Sequence, residues 1–196
     1  MNRQITLAQY RGIDLTILTG LMAVSQLVIH LAVKSFYAEQ TGYIVSPVAA
    51  VTALVMMRWN VWAAIPAMLG GLVLSLLSAG TGEQTLIYSV GNLLSLLAYF
   101  LLKFAGKERV RQNVVLSLLF AALVQLLMQL GRAAMAALLG HPLAVCLGFI
   151  TTDAMSILFT LVIIWIVRRV EGLFEDQKHY LLRIQQGQTK KGGERL

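Results

Sequence analysis

Apolar residues run in long blocks along this chain, and polar residues fall in short breaks between them. Six blocks stand out: roughly Ile13 to Val33, Tyr43 to Met57, Val61 to Leu77, Thr85 to Leu102, Asn113 to Leu139 and Leu143 to Val167. At ~1.5 Å of rise per residue, most approach the ~20 residues that span a bilayer as helix, the second being short. The pattern predicts an all-α integral membrane protein, a six-helix transmembrane bundle. The first block is longer than the apolar stretch of a signal peptide and no soluble domain follows it, so it is expected to stay as a helix.

The breaks are compact. "SAGTGEQ" (78–84) and "GHP" (140–142) are rich in small and turn-forming residues, and the segment from Lys34 to Gly42 is little longer. After residue 170 the character changes. Leu173, Phe174, Tyr180, Leu181 and Ile184 recur at helical spacing, and a polar, Gly-rich end follows. The expected organisation is a membrane domain over 1–170 and, over 171–196, a cytoplasmic amphipathic helix with a disordered tail. That helix could meet a protein partner or the membrane surface.

Composition agrees with this reading. Of 196 residues, 58% are hydrophobic and 13% charged, an excess that one water-soluble core could not hide. The formal charge of +7 could suggest nucleic acid, but the placement of the basic residues argues for topology instead. With the N-terminus in the cytoplasm, fourteen of the 16 Lys and Arg residues fall in inner segments, leaving Lys34 outside and Arg132 within a span. The positive-inside rule thus predicts both termini inside. The single Cys146 lies in a span and says nothing of redox compartment.

Polar positions inside the spans carry the candidate chemistry, because a polar group in lipid is costly unless it faces a partner or a cavity. Tyr88, Asn92, Ser95 and Tyr99 share one face of the fourth helix, and Ser117, Gln125, Gln129 and Arg132 line the fifth. The sixth offers Asp153, Ser156 and Thr160. Counted from the outer ends, Arg132 lies ~10 Å deep, Asn92 ~12 Å and Asp153 ~15 Å, so the three should meet. Two roles fit the pair Arg132 and Asp153: an ion pair holding helices five and six together, or the wall of an outward pocket. Helix one adds Gln26, His30, Lys34 and Tyr37 towards the outer mouth, where Tyr43, Glu83 and His141 also lie. Candidate ligand contacts are therefore Tyr37, Tyr43, Glu83, Tyr88, Asn92, Gln125, Gln129, Arg132, His141 and Asp153.

Small residues form two further stripes: Gly12, Thr16 and Gly20 on helix one, and Ala63, Ala67, Gly71 and Ser75 on helix three. Such spacing lets helix backbones approach closely, within the chain or against a second membrane protein. No phosphate-binding loop occurs; the nearest fragment, "FAGKERV", lacks its leading glycine and its hydroxyl residue. Neither a metal-binding His and Cys spacing nor a nucleophile elbow is present.

These residues together resemble the substrate-binding S-components of energy-coupling-factor vitamin transporters. The likeness covers nearly the whole chain and is closest in "SPVAAVTALVMMRWNVWAAIPAMLGGLVLSLLSAG", with a proline early in helix two and a basic-aromatic turn at Arg58 to Asn60; the tail "EGLFEDQKHYLLRIQ" is similar to the ends of some members. The resemblance implies a multi-pass protein of the bacterial cell membrane, without catalytic residues, metal or cofactor of its own. It would capture a vitamin outside and topple on a membrane coupling subunit powered by two cytoplasmic ATPases. Cobalamin is the favoured cargo, with riboflavin, thiamin or a pyrimidine precursor as alternatives. Family docking uses small residues of helix one, often alanines four apart. This chain departs from that pattern, offering Thr16 to Gly20 and Thr19 to Ala23, beside Gly12. Outside the resemblance, two other readings remain: a membrane enzyme with Asp153 as base and Arg132 as anion clamp, or a scaffold whose stripes only pack.

Overall fold

The computed structural model describes residues 6–36 and 45–183, and the regular elements among them are all helical. Five helical runs are long and apolar enough to cross a membrane: Leu7–Ser35, Val48–Leu77, Gly82–Ala105, Val114–Leu138 and Leu143–Val167. Large apolar side chains such as Leu21, Val28, Leu76, Phe104 and Leu158 point outward from them, as suits a surface bathed in lipid tails. Tyr37 and Tyr43 lie outside the described residues. The helices are α1 (Leu7–Phe36), α2 (Val48–Trp59), α3 (Ala64–Leu77), α4 (Gly82–Gly91), α5 (Tyr99–Ala105), α6 (Lys107–Gln112), α7 (Val114–Leu138), α8 (Leu143–Thr151) and α9 (Ala154–Val167).

The run Val48–Leu77 is not a single rod. At Asn60 the backbone takes φ 58° and ψ −124°, and a short 3₁₀ turn, Asn60–Ala63, leads into α3. Asn takes a positive φ more readily than most residues other than Gly, which suits it to the corner. Gly70 then lies directly against the Val48 side chain. In a straight helix those two residues would stand about 33 Å apart, so α2 and α3 form a hairpin with its corner in the expected basic-aromatic turn.

Helix α3 uses its small residues inward. Ala63, Ala67 and Ser75 are buried, and a Cβ on Gly71 would come within 2.3 Å of the Tyr88 carbonyl oxygen on α4. This stripe serves packing within the chain. Helix α4 starts from a capping box: Thr81 Oγ1 accepts from the Gln84 amide, and Gln84 Oε1 accepts from the Thr81 amide. It passes through a 3₁₀ stretch, Asn92–Ala98, into α5.

One expectation needs correction here. The block from Leu143 to Val167 is not a continuous helix: it breaks at Thr152 and Asp153, where Asp153 adopts φ −97° and ψ 11° and stands as the N-cap of α9. Ser117 shares the buried face of α7 with Gln125, Gln129 and Arg132 but does not join their contacts. Its single hydroxyl hydrogen is shared between the Val110 and Asn113 carbonyls, stitching the turn between α6 and α7.

Several basic residues gather at one end of the bundle and find partners there. Arg58, at the α2–α3 corner, makes a two-pronged contact with Asp14 of α1, Nε to Oδ2 at 2.8 Å and Nη2 to Oδ1 at 2.7 Å. Its Nη1 donates to the Gly172 and Leu173 carbonyls at 2.8 and 2.9 Å. Phe174 is thereby held in the core, and Gln177 is buried, its Oε1 accepting from the Tyr10 hydroxyl. Lys107 meets Asp176 at 2.6 Å, and Arg111 meets Glu175 at 3.0 Å. Burial pushes the Lys107 amine below its usual pKa, with the Asp176 carboxylate pulling the other way. The residues after α9 therefore run as a packed strap before helical structure resumes over 177–183, later than the helix expected from Glu171.

Arg58→Lys tests this end. A lysine keeps the charge but cannot reproduce the fork, leaving hydrogen bonds to Asp14 and the strap unmade. Thermal unfolding of the detergent-purified variant should show a loss of about 2 kcal/mol, with faster amide exchange over 172–178; an unchanged profile would mean that Arg58 does not secure the strap.

Candidate functional site

At the level where α8 gives way to α9, side chains from most of the long helices converge on one buried polar cluster. Its centre is Arg132 on α7. The guanidinium Nη1 meets Asp153 Oδ2 at 2.6 Å, with the side chains 1% and 2% exposed. Its Nε donates to Asn92 Oδ1 at 2.7 Å, and Asn92 Nδ2 donates to the Ala67 carbonyl at 2.9 Å, which carries the network across to α3. Beside the guanidinium lies the Tyr88 ring, 4.9 Å from Arg132 Cζ, and that ring meets Phe149 of α8 edge-on.

Asp153 is the second hub. Gln125 Nε2 donates to its Oδ2 at 3.0 Å, the Ser156 hydroxyl donates to Oδ1, and Gln129 Nε2 donates to its backbone carbonyl at 3.1 Å. That carbonyl also accepts from the Ser156 amide at 3.1 Å, so α7 adds a second donor to the first turn of α9. Within lipid such a break survives only where protein or a cavity surrounds it, and here Gln125, Gln129 and Arg132 of α7 pack against it. The α9 N-terminus beside the carboxylate adds a favourable dipole.

From Ser156 the chain of contacts continues outward through the bundle. Ser156 Oγ accepts from the Ser46 amide at 3.0 Å, and the Ser46 hydroxyl donates to Gln26 Oε1 at 2.9 Å, so α1 is tied to the same cluster. Thr160 Oγ1 reaches Gln125 Oε1 at 3.4 Å. Gln129 Oε1, fully buried, has no hydrogen-bond partner among the described residues.

What lets the cluster form is a glycine pair that sequence reasoning missed. Gly91 of α4 and Gly131 of α7 lie backbone to backbone: a Cβ on Gly131 would fall 2.0 Å from the Gly91 carbonyl oxygen, and one on Gly91 would fall 2.8 Å from Arg132 Cα. The next residue on each helix is Asn92 and Arg132, so the close crossing is what brings their side chains within bonding distance. Single glycines in apolar helices have too many uses to be singled out from sequence. Ser46, just ahead of the proline of helix two, was likewise not foreseen as a member.

Of the expected ligand contacts, Tyr88, Asn92, Gln125, Gln129, Arg132 and Asp153 are brought together. Arg132 and Asp153 face each other, as the ion-pair reading expected, and Asn92 and Gln125 spend polar groups on them. Glu83, in the first turn of α4, and His141, in the loop before α8, have no contact with the cluster among the described residues, and His141 Nε2 lies 3.4 Å from Glu83 Oε1. Among the described residues no group of His, Cys, Asp and Glu has the arrangement of a metal site.

The expected docking residues occupy a different place. Gly12, Thr16, Thr19, Gly20 and Ala23 all line one groove of about 640 Å³ between α1 and α3, closed on its other side by Trp62, Ile65, Leu69 and Val73. A Cβ on Gly12 or Gly20 would meet nothing within 4 Å. Unlike the stripe of α3, this one is left open.

No family model matches the chain, and neither a curated protein nor a solved structure is significantly similar to it.

Proposed function

We propose that this protein is the vitamin-capture subunit of an energy-coupling-factor importer, spanning the bacterial membrane six times with both termini in the cytoplasm. The observation that carries the proposal is the interrupted sixth span. Helix breaks in bilayer-spanning segments recur where small molecules bind, because freed backbone and converging polar groups need protein or cargo around them. Here the break lies over a polar cluster from several helices, with Tyr88 and the unpartnered Gln129 Oε1 at its side.

In this reading Arg132, Asp153, Asn92 and Gln125 are positioning residues that form the floor of an outward pocket. Tyr88, Gln129, Glu83 and His141, with Tyr37 and Tyr43, provide contacts to the cargo. Cobalamin, amide-fringed and bulky, suits a rim of Gln, Tyr and His. A riboflavin, thiamin or pyrimidine member is the nearest alternative within the class. The open groove along α1 is where a membrane coupling subunit would dock, with two cytoplasmic ATPases supplying the energy. No catalytic residue, metal or cofactor is assigned to this chain.

One observation favours a second reading, a packing scaffold: the charged groups of the cluster are paired with one another inside the protein. Calorimetry separates the two. The purified protein should bind cobalamin without ATP at nanomolar to low micromolar concentration. Tight binding of a different vitamin would replace the cargo and keep the class. Failure to bind any vitamin, together with failure to co-purify a membrane subunit and two ATPases, would leave the scaffold.

A further inference from the structure

The groove between α1 and α3 has a polarity of its own. Its walls are apolar or small from Leu15 to Ala23 on α1 and from Ile65 to Val73 on α3. A cation stands only at its lower end, where the Arg11 guanidinium lies 4.1 Å from the centre of the Trp62 ring. Among the described residues Arg11 has no carboxylate partner, in contrast to Arg58, which takes Asp14 with both prongs. Trp62 holds the guanidinium at the level where the α2–α3 hairpin turns, the end that carries the strap and the paired basic residues.

From Arg11 to Ala23 the groove follows α1 for ~18 Å, close to half of the ~30 Å hydrocarbon core. Its neighbours on α1, Ile13, Ile17, Leu21 and Val24, are exposed to the bilayer, as are Met68 and Leu72 of α3. A slot one leaflet deep, open to the lipid phase and marked by one unpaired cation at the headgroup level, has the shape and charge of a lipid site.

We propose that this groove binds one anionic phospholipid from the leaflet on the basic side. An acyl chain lies along Gly12, Thr16 and Gly20, and the phosphate pairs with Arg11. The Thr16 hydroxyl donates back to the Gly12 carbonyl at 2.9 Å, so its hydrogen-bond donor is already used within α1. The inference needs only a membrane-embedded bundle and stands whether or not the transport reading holds; where a protein partner docks on α1, it displaces this lipid.

Native mass spectrometry of the full chain, released from nanodiscs of mixed phosphatidylglycerol and phosphatidylcholine, tests it. The wild type should retain one phosphatidylglycerol in preference to phosphatidylcholine. Arg11→Ala should lower that preference roughly fivefold, the equivalent of about 1 kcal/mol for one basic group near an anionic headgroup, and Arg11→Lys should restore most of it. Gly20→Leu should remove the retained lipid while leaving thermal stability unchanged, because the added side chain enters open groove. Retention that ignores headgroup charge, or that survives Gly20→Leu, would overturn the proposal. So would a groove found filled by a polypeptide in the isolated protein.

Discussion

Arg132→Ala is expected to cost the folded protein roughly 3–5 kcal/mol, because it leaves the Asp153 carboxylate buried without its countercharge. The hydrogen bonds from Gln125 and Ser156 remain, but neither carries charge. Thermal unfolding of the detergent-solubilised protein should show the loss directly, with a shrunken monodisperse fraction. The double variant Arg132→Ala with Asp153→Asn is the decisive companion. With the uncompensated charge removed, it should be more stable than Arg132→Ala alone, and the coupling between the sites should exceed 1 kcal/mol. Additive losses would show that the two side chains do not act as a pair. A variant that folds but loses vitamin binding would assign the pair to the pocket as well.

Gly131→Ala should be nearly as damaging although it adds one methyl group. That methyl would fall 2.0 Å from the Gly91 carbonyl oxygen, and backbone, unlike a side chain, cannot rotate away. The α4–α7 crossing would have to open, pulling Asn92 from Arg132; overpacking of this kind costs about 1–3 kcal/mol, with the lost charge-assisted hydrogen bond in addition. Gly12→Ala is the matched control, since a Cβ there meets nothing within 4 Å, and it should be neutral. Equal stability of the two variants would refute the close crossing.

Much of the architecture is legible in the sequence because lipid leaves few choices. Long apolar blocks become helices, and polar residues at helical spacing must find one another. The depth of Arg132, Asn92 and Asp153 could be counted from the helix ends, and the three do meet. The corner at Arg58 to Asn60 was visible as a polar interruption too short for anything but a turn. The break at Asp153 was not, because "TTD" contains neither Gly nor Pro; the groups that meet Asp153 there, Gln129 and Arg132, arrive from α7 and are tertiary. The strap was hidden for a similar reason. Phe174 reads as one apolar residue in an amphipathic tail until Arg58, far away in the sequence, is seen to hold the carbonyls just before it.

The pairing of Arg132 with Asp153 also bears on how the chain enters the bilayer. An arginine within a lone apolar helix opposes insertion, by up to about 2.5–3.5 kcal/mol at the helix centre on the scale set by the translocation machinery and by less towards the end, where Arg132 lies. Its countercharge is carried by the next membrane-crossing run, across the short turn at Gly140 to Pro142. Helix α7 is therefore expected to wait beside the translocation pore until α8 and the start of α9 have emerged, so that the two runs enter lipid together as a charge-neutral unit.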